Sequence, residues 1–270
     1  MATCRRSVGV REDVPGRDRA RVEYDGTDFA GSQAQPGLRT VQGELEAALA
    51  RLTGGIRSRV DAAGRTDAGV HALGQVIAFT YRGRLPAGEL ERALNALVPP
   101  DLAVRDLRRV PLAFHPRYAA RYREYRYTIW NGPRSPLRER TALGVRVPLD
   151  DAAMARAASV LIGRHDFSAF GAADPRPVRT IHWIRVRREG TTVTIDVAAD
   201  AFLRGMVRRI VAVLLEVGRG RTDEQEVAAI LVSRRPALNG ATAPARGLCL
   251  RRVVLGRRQR GSDDRTETRP

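Results

Sequence analysis

Residues 63–72 read Ala-Gly-Arg-Thr-Asp-Ala-Gly-Val-His-Ala, and the apolar run Val-Ile-Ala-Phe follows at residues 76–79. The glycines Gly64, Gly69 and Gly74 can adopt backbone angles that are closed to other residues. A glycine-rich polar stretch of this kind is typical of a tight turn, and the apolar run after it is typical of a strand. The sequence therefore predicts a sharply turned loop that leads into a strand.

Asp67 is the carboxylate of this loop, and Arg65 stands two residues before it. A nearby positive charge keeps a partly buried carboxylate ionised, and an ionised carboxylate can act as a nucleophile. The alternative is an ordinary surface turn in which Asp67 bonds only to its own backbone. The loop by itself leaves both interpretations open.

The composition indicates the kind of partner. The chain has 270 residues and 43% hydrophobic content, so it can bury a core in one large domain or in two modest ones. Its 47 basic residues are all arginine and give a formal net charge of +17 with a pI near 11.3. An excess of basic over acidic residues of this size indicates a polyanionic partner, most simply a nucleic acid.

Cysteine and histidine usage predicts neither disulfides nor a metal site. Cys4 and Cys249 lie at opposite ends of the chain, and the 4 histidines show no metal-ligand spacing with them. No apolar run has the length of a transmembrane helix. We therefore expect a cytoplasmic protein that has no metal or other cofactor and no membrane association.

The periodicity of apolar residues predicts alternating helices and strands. Helical spacing appears in residues 41–52, 90–97, 154–162 and 227–231. Thr40 and Asp150 are N-cap candidates for the first and third of these helices, and Thr222 with Gln225 has capping-box spacing before the fourth. Strand-like alternation marks residues 121–130 and 191–197. This order favours an α+β fold with two related halves, each a largely antiparallel sheet backed by helices. No residue-level repeat between the halves is evident.

The domain boundaries follow from composition. We expect a disordered N-terminal segment at residues 1–19 and a disordered tail at residues 256–270, because both are rich in polar and charged residues. Between them we expect an N-terminal α+β half at residues 20–115, which carries Asp67, and a C-terminal α+β half at residues 116–255.

Residues 64–71 resemble the signature of the TruA-type tRNA pseudouridine synthases. Further segments resemble this family and stand in family order: residues 22–33, 114–117, 123–127, 165–170, 178–181, 202–210 and 244–250. The resemblance extends over about nine-tenths of the chain and leaves out only the tails. One departure is Ser32, which stands where the family usually has tryptophan. We expect the loop around Ser32 to be built differently for that reason.

The resemblance implies roles for five residues. Asp67 is then the catalytic nucleophile, and Arg208 is the buried arginine that pairs with it and holds it ionised. Tyr125 lies against the target uracil, and Leu248 lines the uracil pocket. Arg65 is expected to help orient and charge-balance Asp67, and to help fill the space that a flipped-out uridine leaves.

The function implied is the isomerisation of uridine to pseudouridine at positions 38, 39 and/or 40 of the tRNA anticodon stem-loop. The resemblance also implies an active-site cleft between the two halves and a homodimeric assembly. Two alternatives stay open: a pseudouridine synthase with another RNA target, and a non-catalytic RNA-binding protein. A hydrolase is disfavoured, because no Ser-His-Asp or paired-carboxylate spacing stands out.

Overall fold

The computed structural model describes residues 16–256 and has an α+β fold with one large, mostly antiparallel sheet. Its N-terminal half contains β1 (Gly16–Tyr24), α1 (Val41–Leu52), β2 (Asp61–Ala62), β3 (His71–Tyr81), α2 (Ala87–Asn95) and β4 (Leu102–Val110). These four strands lie in the order β4-β1-β3-β2, and every pair among them is antiparallel.

The C-terminal half repeats this plan with short additions. It contains α3 (Pro116–Ala119), β5 (Ala120–Trp130), β6 (Leu143–Gly144), α4 (Asp151–Ser159), β7 (Gly163–Asp166), β8 (Val178–Glu189), β9 (Thr192–Ala199), α5 (Met206–Gly218), α6 (Glu224–Ser233) and β10 (Leu248–Leu255). Its main strands lie in the order β10-β5-β9-β8, with β7 at the edge.

The two halves are therefore related by topology. In each half the main elements follow the order strand, helix, strand, strand, helix, strand along the chain. In the sheet, the fourth of these strands lies beside the first, and the second lies beside the third, which is the split βαβ arrangement. This confirms the prediction of an α+β fold with an extensive antiparallel sheet and helices. The relation lies in the order of the elements, which explains why no residue-level repeat is visible.

The halves meet where β3 and β10 pair in parallel, with His71 opposite Cys249 and Ala72 opposite Leu250. Gly74 permits this contact, because a Cβ there would lie 2.5 Å from the carbonyl oxygen of Arg251. Of the three glycines first expected to need unusual backbone angles, only Gly69 has a left-handed conformation, with φ of +75°. Gly74 is thus required for close approach and not for its backbone angle.

Several local predictions are confirmed and one is wrong. Thr40 caps α1 by accepting from the N–H of Gly43, and Asp150 caps α4 by accepting from the N–H of Ala153. The predicted capping box at Thr222 is displaced by one residue: Asp223 accepts from the N–H of Glu226 and caps α6. A carboxylate is a strong N-cap acceptor, and here it lies at the position where the helix begins.

The N-terminal boundary also needs correction. Residues 16–19 were expected to be disordered, but they form the first part of β1. Arg17 pairs with Asp61 at 2.6 Å between Nη2 and Oδ2, which attaches this arginine to the short strand β2. The rest of the expected N-terminal segment, and the expected tail beyond residue 256, lie outside the described residues.

Alternation along β5 separates the two faces of the sheet. Tyr125, Tyr127 and Ile129 are buried on one face, as predicted, whereas Glu124 and Arg126 on the other face are half-buried. The buried side chains of both halves belong to one continuous apolar core. Tyr125 therefore has a rigid setting on the core side of the sheet.

Candidate active site

Asp67 lies in the loop at residues 63–70, hereafter the Asp67 loop, which joins β2 to β3 beside the junction of the two halves. Side chains from neighbouring strands fix its first residues. The carbonyl oxygen of Ala63 accepts from Nη2 of Arg123 at 2.6 Å, and that of Gly64 accepts from Nε2 of Gln75 at 2.8 Å. The loop is thus held at its base by two strands, one from each half.

Ser32 holds the centre of the Asp67 loop. Its N–H donates to the carbonyl oxygen of Thr66 at 3.0 Å, and its Oγ accepts from the N–H of Thr66 at 2.8 Å. Tyr24 adds a hydroxyl–hydroxyl hydrogen bond to Thr66 at 2.8 Å, and burial raises the pKa of Tyr24 to about 12, so its phenol stays protonated. Thr66, the residue immediately before Asp67, is therefore held by hydrogen bonds to both its backbone and its side chain.

These contacts explain how the chain accommodates serine in place of the family tryptophan. Ser32 is only 6% exposed and uses its small polar side chain to bond the loop backbone directly. Gly31 beside it approaches closely: a Cβ there would lie 3.1 Å from the carbonyl oxygen of Thr66. In this chain the two loops are thus joined by hydrogen bonds between Ser32 and Thr66.

Replacing Ser32 by alanine is expected to lower kcat by about tenfold while KM changes little. The N–H of Thr66 then lacks its partner, so the residue before Asp67 is held less firmly, and a loss of about 1.4 kcal/mol in transition-state stabilisation corresponds to tenfold in rate. A suitable control is Ser58→Ala, because Ser58 is also 6% exposed but its Oγ has no partner within the described residues. Equal losses of kcat in the two variants would contradict a positioning role for Ser32.

Arg208 brings a cation to Asp67 from the C-terminal half. It lies in the first turn of α5, and its Nη1 is 3.5 Å from Oδ2 of Asp67. Two other contacts fix the guanidinium: Nε donates to the carbonyl oxygen of Ala243 at 2.7 Å, and Nη2 donates to Oγ1 of Thr242 at 3.0 Å. The Arg208 side chain is 21% exposed and that of Asp67 is 38% exposed, so the pair is partly open to solvent. The resemblance implied a buried arginine, whereas Arg208 is only partly buried.

Tyr125 lies on the core side of β5, with its ring edge-to-face against Phe202 at 5.1 Å between centroids. Burial is the main cause of a raised pKa at Tyr125, and charge on Tyr24 and on Asp67 adds to the effect. The phenol is therefore neutral. Strand pairing places Tyr125 opposite Leu250, and Leu250 lies opposite Ala72, close after the Asp67 loop.

Leu248 is the first residue of β10 and lies directly opposite Tyr127, so its side chain shares the core face of the sheet with Tyr125. The turn before it contacts the Asp67 loop. A Cβ on Gly69 would lie 3.2 Å from the Cβ of Ala245. Leu248 thus forms part of the apolar wall next to this junction.

Arg65 differs from the other four residues. Its side chain is exposed, and it has no ion pair with Asp67 or with any other carboxylate of residues 16–256. The cation beside Asp67 is therefore Arg208, and the expected charge balance by Arg65 is not observed. The exposed position is compatible with an RNA contact.

Two residues of the site had no predicted role. Arg123 is a buried cation that donates to the carbonyl oxygens of Ala63 and Asp200. His71 accepts from the N–H of Gly26 through Nδ1, and its Nε2 lies 3.1 Å from the carbonyl oxygen of Arg246. Strand alternation places Arg123 on the same face as Tyr125, which is the signal that could have identified it.

The site has the groups for nucleophilic chemistry on a planar substrate. A carboxylate is held beside a guanidinium, and a tyrosine and a leucine supply an adjacent apolar surface. Within residues 16–256, no group of three or more His, Cys, Asp or Glu side chains could hold a metal ion.

Comparison with known proteins identifies the family. The family described as tRNA pseudouridine synthase matches residues 20–119 and 157–254. Curated relatives agree over most of the chain. The tRNA pseudouridine synthase A of Halalkalibacterium halodurans is 45% identical over 84% of this chain and 88% of its own length. That of Moorella thermoacetica is 48% identical over 86% of this chain and 96% of its own length.

The chain belongs to the tRNA pseudouridine synthase family. The family ranges include Asp67, Arg65, Arg208 and Leu248, whereas Tyr125 lies between the two ranges. Among solved structures, the match to the archaeal box H/ACA sRNP Nop10-Cbf5 complex covers 90% of this chain and 58% of the matched chain of the complex, at 11% identity. Its TM-score of 0.32 is too low to support an inference.

Proposed function

We propose that the protein converts uridine to pseudouridine at positions 38, 39 and/or 40 of the tRNA anticodon stem-loop, with Asp67 as the nucleophile. Membership of the tRNA pseudouridine synthase family makes the chain an isomerase of RNA. The observation that carries the role of Asp67 is its pairing with Arg208 across the junction of the halves.

The reaction rearranges one nucleotide and needs no external group. The N1–C1′ bond of uridine breaks, the uracil turns, and a C5–C1′ bond forms; C5 loses its hydrogen as a proton and N1 gains one. Asp67 adds either to the uracil ring or to C1′, and this bond breaks again by the time C5 is joined to C1′, so the carboxylate is regenerated. Arg208 orients the carboxylate for that step. Neither an oxidant nor a metal enters this balance, which agrees with the expectation of no cofactor.

The remaining residues receive the base. A uridine in a stem must first leave the stack, which costs a few kcal/mol. Tyr125 then lies against the flipped uracil and Leu248 lines its pocket, because both belong to the core face of the sheet beside the Asp67 loop. Arg65, exposed on the same loop, helps to fill the space that the uridine leaves.

The strong positive charge suits a tRNA substrate. A formal net charge of +17 attracts phosphates without regard to sequence. Binding that depends on phosphate contacts weakens steeply as the salt concentration rises.

We propose a homodimer that acts in the cytoplasm, following the family resemblance. None of the helices between residues 16 and 256 combines the length and apolar character needed to cross a membrane.

The experiment that tests this function is tritium release from tRNA labelled at uridine C5, because that hydrogen leaves only when C5 becomes the glycosidic carbon. Two tRNAs are compared, one with uridines at positions 38 to 40 and one with other bases there. We expect release from the first tRNA only. Equal release from both would indicate that the target is a tRNA uridine outside positions 38 to 40. Binding without release from either would indicate another RNA substrate or a non-catalytic RNA-binding protein.

A further inference from the structure

A recess of about 180 Å³ lies beside the candidate active site, at the end of β5. Its wall includes Trp130, Pro133, Arg134, Arg138, Arg146 and Arg246. We call it the arginine recess. It is separate from the Asp67 site, and the chemistry proposed above uses none of these side chains.

Among residues 16–256, three arginines of the recess have no acidic partner. Arg246 lies 3.5 Å from Glu139, so its charge is partly balanced. Arg134, Arg138 and Arg146 are exposed and form no ion pair within residues 16–256. Several unbalanced guanidinium groups around one recess create a local positive potential, which favours a polyanion.

The frame of the recess is fixed by hydrogen bonds. Nε1 of Trp130 donates to the carbonyl oxygen of Pro133 at 2.6 Å, and the guanidinium of Arg138 lies over the Trp130 ring at 5.2 Å. Arg140, on the same segment, pairs with Asp25 at 3.1 Å and with Asp28 at 2.8 Å. The segment at residues 133–142 is thereby attached to the loop that follows β1. A fixed frame reduces the ordering cost of binding.

The recess lies close to the uracil pocket. Arg246 lines the recess and stands two residues before Leu248, the first residue of β10. The backbone of Arg246 contacts the ring of His71, four residues after Asp67. The turn that contains Arg246 therefore joins the recess to the Asp67 loop.

We propose that the arginine recess binds phosphate groups of the RNA nucleotides that flank the target uridine. The ligand class is the phosphodiester backbone, because guanidinium groups without carboxylate partners match phosphate oxygens in charge and in hydrogen-bond geometry. Such contacts position the RNA without reading its sequence. The proposal deepens the function proposed above and rests on it.

The test compares two charge-matched triple variants. The recess variant carries Arg134→Ala, Arg138→Ala and Arg146→Ala. The control carries Arg92→Ala, Arg108→Ala and Arg164→Ala, which removes three exposed arginines that form no ion pair within the described residues and line neither the arginine recess nor the recess that contains Tyr125.

The measurement is the Kd for tRNA and for the isolated anticodon stem-loop across a salt series. We expect the recess variant to bind both RNAs at least about tenfold more weakly. The slope of the logarithm of the binding constant against the logarithm of the salt concentration should become shallower by about one for each phosphate that the protein no longer binds. The control is expected to stay within about threefold of the wild type. Equal losses of affinity in the two variants, or wild-type binding by the recess variant, would overturn the proposal. So would weaker binding of tRNA together with unchanged binding of the stem-loop.

Two further measurements keep the result interpretable. The double variant Arg134→Ala with Arg146→Ala leaves Arg138 over Trp130, so it retains the frame if the triple variant unfolds. A loss of several-fold in affinity is expected from it too, and unchanged binding by this variant would overturn the proposal. Tritium release by the wild type is measured on the same preparations. Failure of the proposed function appears as no release by the wild type, whereas failure of the recess proposal appears only in the binding comparison.

Discussion

Asp67→Asn is expected to lower the rate of tritium release from tRNA by at least about 10⁴-fold, which is the scale of loss when a nucleophile is removed from an enzyme. An amide has nearly the same shape as a carboxylate but is not an anionic nucleophile. The contacts of Ser32 and Gln75 to the loop backbone do not involve the Asp67 side chain, so the loop is expected to stay folded. Single-turnover release under saturating enzyme measures the chemical step directly.

The same variant is expected to bind tRNA at least as tightly as the wild type, because it removes a negative charge from a site that faces phosphates. The matched control is Glu89→Gln, which removes an exposed carboxylate of α2 that forms no ion pair within the described residues, and it is expected to keep near-normal release. Substantial release by Asp67→Asn would exclude Asp67 as the nucleophile. Binding by both wild type and variant without release by either would support the non-catalytic alternative.

The site depends on both halves of the fold. Asp67 comes from the loop before β3, whereas Arg208, Tyr125 and Leu248 come from α5, β5 and β10. The parallel pairing of β3 with β10 brings these elements together. Each half has the same order of elements, but neither half alone contains both the carboxylate and its arginine. The candidate active site is thus a product of the junction.

Local rules predicted much of this arrangement. Helical spacing after Thr40 and Asp150 located α1 and α4, because a cap and an apolar stripe are encoded within a few residues. Strand alternation placed Tyr125 and Tyr127 on one buried face. The roles of Asp67 and Arg208 came from family resemblance, because the two residues are separated by more than a hundred positions and no local pattern joins them.

What sequence did not predict depends on long-range contacts. The strand at residues 16–19 is polar in composition, and it forms because β3 and β4 pair with it on both sides. The hydrogen bonds of Ser32 with Thr66 join residues from two loops, so a departure from the family pattern gave no indication of them. Arg65 was assigned to Asp67 because of its proximity in sequence, but its side chain is exposed.

Arg208→Ala is expected to lower kcat by about 10²–10³-fold, a loss typical of removing one charged or hydrogen-bonding group from a reacting centre. The carboxylate of Asp67 then loses the cation 3.5 Å away that orients it. Stability should fall as well, because the carbonyl oxygen of Ala243 and the hydroxyl of Thr242 lose their donor, which costs about 1–3 kcal/mol. The measurements are single-turnover tritium release and thermal unfolding.

Two comparisons separate the catalytic effect from the structural one. Arg208→Lys keeps the charge but cannot reproduce a planar guanidinium that contacts Asp67, Thr242 and Ala243 together, so it should recover only part of the rate. Arg204→Ala removes an exposed arginine just before α5 and should leave kcat within about twofold of the wild type, because a surface change of this kind usually has little effect. If Arg208→Ala lowers only the melting temperature, or if Arg204→Ala lowers kcat equally, the pairing with Asp67 is structural and has no part in the reaction.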